Sequence, residues 1–291
     1  MEYDLDLWVA DAPQDRKEFR QAVHTILHAI SESEYLKPKM IIKGGMLIGI
    51  RYKSDRFTED IDFSTSEKYQ DINTEEFHKE LEDALLVAYD ELQYGVRCSV
   101  QSLKVQPKNQ AEEATFPSLK LKIGYASDSN AAAMKRLEAG HSTNTVKIDY
   151  SFNEITHKVD DLVIDDGSVQ AYGFEDLIAE KYRSMHQQVV RNRSRRQDVY
   201  DLHYLLNNSS PPTEEEKLNI LIFLFEKSVE RLPDGFINQT SLNNAEIKTR
   251  SQQDYHLLAK EIEGELPDFE EAFAQVNAFY ESLPWDQYVS Q

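Results

Sequence analysis

Cysteine is almost missing from this chain. Cys98 stands alone, so no internal disulfide forms, which fits a reducing compartment. Positive charge is also scarce: 32 Lys and Arg face 52 Asp and Glu, leaving a net charge of −20. A general nucleic-acid binder presents a basic face, because phosphate neutralisation dominates its affinity. A nucleic-acid substrate here therefore requires a local basic patch, and the acid excess equally suits a protein substrate or a cationic partner. Long hydrophobic runs are absent. The longest, 220–225, is far too short to span a bilayer. The acidic start around Glu2, Asp4 and Asp6 lacks the basic and apolar parts of a secretion signal, so a cytoplasmic protein without membrane attachment is predicted. Also missing are a His-Glu-x-x-His or Cys/His zinc set, a Gly-x-Ser-x-Gly elbow, a phosphate-loop signature and a dinucleotide Gly-x-Gly-x-x-Gly. The eight histidines are scattered and read as packing or surface residues.

What is present is a 291-residue chain, 40% hydrophobic and 29% charged, an ordinary balance for a globular protein with one large or two ordinary domains. Its organising stretch is 43–63. Met40, Ile41 and Ile42 read as a short strand running into Gly44-Gly45, and 46–52 as a helix start. The glycines then sit at a helix N-terminus, where backbone N–H groups approach an anion. Asp60 and Asp62 alternate with Ile61 and Phe63 as in a half-buried strand, so both carboxylates leave one face. That arrangement suits Mg²⁺, which takes carboxylate oxygens and keeps room for water and substrate phosphates. By itself the triplet is common in so acidic a chain, and Asp4 with Asp6 makes another.

Helical spacing places Phe19, Val23, Ile26 and Ile30 on one side of a helix after Pro13, and Phe77, Leu81, Ala84, Leu85 and Ala88 on another capped by Asn73 and Glu76. Strict alternation marks strands through Val96, Cys98 and Val100, through Leu119 to Tyr125, and through Val146, Ile148, Tyr150 and Phe152. A polar loop covers 107–117, a turn or short helix 131–139, and a last hairpin 162–164 with 169–172. Asp149 projects from its strand as Asp60 and Asp62 do from theirs; alone it reads equally as an exposed acid. Past about 170 alternation gives way to helical spacing. The prediction is an α+β protein with a mixed sheet flanked by helices over 1–170 and a helical domain over 171–291.

In the helical half, Lys181 lies inside the stripe of Phe174, Leu177, Ile178 and Met185, where it must snorkel, pair with a buried acid, or face an anion. Arg191, Arg193, Arg195 and Arg196 form the one basic run, either a solvated connector or a phosphate contact. Asp201 reads as a helix-surface acid. Thr213 with Glu216 caps an apolar helix, Asp268 precedes an amphipathic one, and Trp285 and Tyr288 read as packing residues.

Lys43-Gly44-Gly45-Met46-Leu47 followed by Arg56-x-x-Glu59-Asp60-Ile61-Asp62-Phe63 resembles the DNA polymerase beta-like nucleotidyltransferase superfamily, most closely its AbiEii/AbiGii toxin branch. Glu175 to Arg183 resembles that family's next, lysine-bearing motif, and Arg195-x-x-Asp198-x-Tyr200-Asp201-Leu202 the one after. The gap from Gly45 to Asp60 is long for the superfamily. The resemblance implies a toxin of a bacterial toxin–antitoxin or abortive-infection (phage-defence) system. It would transfer NMP from an NTP to an acceptor hydroxyl, on tRNA first, with protein nucleotidylation or a silent nucleotide-binding module as alternatives. It further implies two Mg²⁺ ions, with Mn²⁺ as a substitute, on Asp60, Asp62 and Asp149. Lys43, Gly44, Gly45, Lys181, Arg193 and Arg196 would contact the nucleotide, and Asp198 would hold Lys181 or help activate the acceptor. The helical domain would complete the nucleotide and acceptor cleft, and a cognate antitoxin would be encoded nearby.

Overall fold

The computed structural model describes residues 5–288; Asp4 and the side chain of Tyr288 lie outside what is described. The chain divides into two compact units. One runs to Arg51 and takes in Glu59–Glu154 and Val159–Ala171; the other comprises Tyr52–Thr58, Ile155–Lys158 and the chain from Tyr172 onward.

The first unit is built as α1 (Leu5–Ala10), α2 (Lys17–Glu32), β1 (Ile41–Lys43), α3 (Gly44–Arg51), β2 (Asp60–Ser64), α4 (Thr74–Leu92), β3 (Val96–Gln106), β4 (Ser118–Ser127), α5 (Ala131–Glu138), β5 (Thr145–Ser151), β6 (Val159–Ile164) and β7 (Gly167–Tyr172). The strands form one mixed sheet in the order β3-β4-β5-β2-β1-β7-β6. β2 runs parallel to β5 and β1 parallel to β7, while the pairs β1/β2, β3/β4 and β4/β5 are antiparallel. Alternation puts Ile61, Phe63, Leu121, Ile148 and Tyr150 into the core. Helices α2 and α4 cover that face: Phe77 stacks on Tyr150 with ring centroids 5.6 Å apart, and Phe19 meets Tyr125 edge-on. Asn73 caps α4 by accepting from the Glu75 and Glu76 amides. β3 runs past Val100 to Gln106, beyond where alternation marks it, since a register shift between Val100 and Ser102 breaks that alternation.

The second unit holds α6 (Phe174–Val190), α7 (Arg196–Asn208), α8 (Glu214–Ser228), α9 (Ala245–Gln252), α10 (Phe269–Glu281) and α11 (Trp285–Tyr288). Helix α6 is buried nearly all round, not along one stripe: Glu175, Asp176, Lys181, Arg183, His186 and Gln188 are buried with its apolar residues. Such burial is tolerated only with partners. Asp176 accepts from Lys227 Nζ at 2.8 Å and from the amides of His157 and Lys158, and Gln188 donates to Ser251 Oγ. Helix α8 starts at a full Thr213/Glu216 capping box, Asp268 caps α10, and Trp285 packs with its Nε1 donating to the Tyr280 carbonyl.

Candidate active site

In the first unit, β1 ends at Lys43 and the chain turns at Gly44 into α3. Gly44 has φ +74°, and a Cβ added there would strike Asp62 Oδ2. Only glycine meets both demands. The turn thus presses the start of α3 against the Asp62 carboxylate.

Register then sets the acids. Lys43 pairs with Asp62 across β1/β2, Asp62 with Asp149 across β2/β5, and Asp149 with Lys120 across β5/β4. One row therefore reads Lys43, Asp62, Asp149, Lys120 over four strands. Two residues along, Asp60 pairs with Lys147 and Lys147 with Lys122. All seven side chains belong to the face opposite Ile61 and Phe63. Lys120 Nζ bonds Asp149 Oδ2, Lys147 Nζ lies 3.7 Å from Asp60 Oδ1, and Lys43 Nζ lies 3.5 Å from Glu154 Oε1. Asp149 Oδ1 is buried and has no hydrogen-bond partner.

This donor set fits a hard divalent cation. It offers oxygens only, two of its carboxylates are register partners, and one buried lone pair is unmet. The three aspartates share a face without converging on a point. Among the described residues, the group of three or more His, Cys, Asp or Glu whose ligand atoms all lie within 4.8 Å of one another is His24, His28 and Asp165. Sequence reading, which took the histidines as packing or surface residues, missed that group. The available signal was the four-residue spacing of His24 and His28, which puts both on one helix face.

In the second unit, Lys181 pairs with buried acids, one of the three options open to it. Its Nζ donates to Asp198 Oδ1 at 2.9 Å and Asp201 Oδ2 at 2.6 Å. Arg195 Nε donates to Asp198 Oδ2 at 2.9 Å, and Arg56 holds Asp201 through Nε at 2.8 Å and Nη2 at 2.9 Å. Asp201 is therefore not a surface acid: it is 0% exposed. Three residues on from the buried Asp198, it lies on the same face of α7, and the bidentate arginine that neutralises it comes from a distant stretch. Burial pushes the Asp201 carboxyl up, but Arg56 and Lys181 outweigh it and hold it at about 2. Burial likewise opposes charge on Asp198 and Lys181; Arg195 and Lys181 bring Asp198 down, while Asp198 and Asp201 bring Lys181 up. Arg56, which the sequence places just ahead of Asp60 and Asp62, belongs with this group, since Tyr52–Thr58 is part of the second unit. Of the basic run, Arg196 Nη2 donates to Glu261 Oε1 at 2.6 Å, and Arg193 is exposed.

Known proteins agree with this architecture. MenT4, a nucleotidyltransferase toxin from Mycobacterium tuberculosis, superposes with a TM-score of 0.58 at 13% identity, over 97% of this chain and 91% of that one. JHP933 from Helicobacter pylori superposes with a TM-score of 0.53 at 16% identity, over 96% of this chain and 97% of its own. At such identities the likeness is one of fold. No curated protein matches the sequence. The family described as nucleotidyl transferase AbiEii toxin, type IV TA system, matches residues 26–275. That match spans β1 to α10 and includes both charged groups, so the chain belongs to the AbiEii family of nucleotidyltransferase toxins.

Proposed function

We propose that the chain transfers a nucleoside monophosphate from an NTP to a hydroxyl of tRNA in a Mg²⁺-dependent reaction, as the toxin of a pair with an antitoxin. One observation carries this reading: Asp62 and Asp149 are register partners on parallel strands beside the positive-φ Gly44, and Asp149 Oδ1 is buried without a hydrogen-bond partner. Asp60, Asp62 and Asp149 would hold the ions. Bound there, Mg²⁺ supplies the positive charge that acidifies the attacking hydroxyl and steadies the leaving pyrophosphate.

The rest falls to the chain. The acceptor oxygen bonds the α-phosphorus as the bond to pyrophosphate breaks, so charge spreads over phosphoryl oxygens and positioning dominates. Gly44 and Gly45 offer amides at the start of α3 to phosphate oxygens. Lys43, on the same row as Asp62 and Asp149, adds charge. Lys120 and Lys147 balance the charge of Asp149 and Asp60, the acids that would hold the ions. Lys181 and Arg196 would have to exchange their carboxylate partners to contact a phosphate, whereas Arg193 is exposed. Asp198 acts by holding Lys181.

The test incubates the protein with Mg²⁺, each α-labelled NTP in turn, and tRNA or cell extract. Label is expected in tRNA and absent with Asp62→Asn, whose circular dichroism stays that of the parent. Label in a protein band would replace the acceptor, and label retained by Asp62→Asn would overturn the site.

A further inference from the structure

We propose that His24, His28 and Asp165 form a transition-metal site, with Zn²⁺ as the fitting ion, separate from the three aspartates. His24 and His28 lie four residues apart on α2, so their rings share one face. Asp165, at φ +48° in the turn between β6 and β7, places Oδ2 at 2.9 Å from His24 Nε2 and 2.6 Å from His28 Nδ1. Two imidazole nitrogens and one carboxylate oxygen are donors that Zn²⁺ favours. Atoms sharing a tetrahedral Zn²⁺ with bonds of about 2.0–2.1 Å lie roughly 3.3 Å apart. The two contacts to Asp165 Oδ2 are shorter than that spacing, so the carboxylate must draw back for an ion to enter.

The outward partners point the same way. His28 Nε2 meets Glu91 Oε2 at 2.8 Å; His24 Nδ1 meets the Tyr94 hydroxyl at 2.8 Å, which itself donates to Asp6 Oδ1. A carboxylate accepts only, and a hydroxyl whose proton goes to Asp6 accepts from the ring. If each ring is neutral and donates its one N–H outward, a bare nitrogen from each faces Asp165 Oδ2, another acceptor. One divalent ion satisfies two neutral rings and the carboxylate together, and a ring nitrogen fixed by an acceptor is the usual support of a zinc histidine.

Access and purpose follow from position. The His24 side chain is fully buried, while those of His28 and Asp165 are 11% and 23% exposed. His28 and Glu91 line a cavity of about 410 Å³ that also carries Glu32, Glu34, Glu80 and Asp83, an acidic approach for a cation. The ion would tie α2 to the β6–β7 hairpin, and β7 pairs with β1, the strand that ends at Lys43. A metal clip of this kind fixes the edge of the sheet on which the Gly44 turn depends.

The experiment measures metal content and binding on the full chain stripped with chelator. One Zn²⁺ per chain is expected, with a rise in melting temperature on loading, and Co²⁺ in its place should give the visible absorption bands of a tetrahedral nitrogen–oxygen site. His28→Gln and Asp165→Asn should abolish stoichiometric binding, and Glu91→Gln should weaken it about 10–100-fold. Asp62→Asn should bind Zn²⁺ as the parent does. If the variants misfold, the Co²⁺ spectrum of the parent chain decides alone. Absence of stoichiometric Zn²⁺ and Co²⁺ binding, a Co²⁺ spectrum without tetrahedral bands, or binding lost with Asp62→Asn but kept with His28→Gln, would overturn the assignment and leave a hydrogen-bonded bridge.

Discussion

Alanine at position 44 meets two separate penalties. Its left-handed backbone costs about 1–2 kcal/mol for any residue with a Cβ, and that Cβ would strike Asp62 Oδ2. A carboxylate swings aside more cheaply than a backbone moves, so Gly44→Ala should lose more transfer activity than stability; parallel urea melts and label incorporation check this. His186 gives a prediction in pH. Burial keeps its ring neutral, with the pKa lowered to about 4, while Nδ1 meets the Tyr182 carbonyl and Nε2 the Ser241 hydroxyl. The unfolded chain gains a proton near pH 6.5 or so, and the folded ring only near 4. Stability of that unit therefore falls as pH drops across this window, by about 3 kcal/mol from this group, and the loss is complete below it. His186→Gln should flatten that slope in urea midpoints taken across the window. At this scale the sequence exposed what repeats locally: the alternation of Asp60 and Asp62 and the misfit of Lys181 in its stripe. Asp201 was read wrongly because what buries it, Arg56, lies far away in the chain. His24 and His28 went unread for the same reason, their third partner being Asp165.

Elements divide by how they are stabilised. Strands β2 and β5 are legible because one face is apolar and the other charged, and their register follows from burying Ile61 against Ile148. Caps such as Asn73 and Thr213 are legible because the capping partners lie within three residues. Helix α6 is not, since its charged residues look solvated until partners from other segments are known. Lys227 of α8 shows what such a partner contributes. Its Nζ is buried between Asp176 and the Ile155 carbonyl, which it meets at 2.7 Å. Breaking a buried pair by removing one member costs about 3–5 kcal/mol, because the other charge stays buried. Lys227→Met should cost the second unit about that much in urea. Asp176→Asn in the same background should recover part of it, since the amide carries no stranded charge. A loss under about 1 kcal/mol would mean that the His157 and Lys158 amides suffice for Asp176.

For the whole molecule, charge bears on how the proposed RNA acceptor would be held. Composition gives −20 and so excludes a broad basic face. Pattern shows one basic run, but not how much of it is free to act, because Arg195 and Arg196 are engaged by Asp198 and Glu261 through contacts no spacing announces. Nor does any periodicity assign Tyr52–Thr58 and Ile155–Lys158 to the second unit, since short connecting segments carry none. Two opposing salt effects follow. Each phosphate contact releases counterions, so affinity falls as salt rises, while screening of the net negative charge favours association. The salt dependence of tRNA binding should accordingly be shallow, corresponding to a few contacts. Arg193, an exposed member of the run, should account for one of them: Arg193→Ala should lower the slope of log K against log salt by about one and weaken binding alike for all tRNAs, with the urea midpoint unchanged. Filter binding across a salt series reads all of this. An unchanged slope would remove Arg193 from the acceptor contact, and affinity that rises with salt would move the acceptor from RNA to a protein hydroxyl.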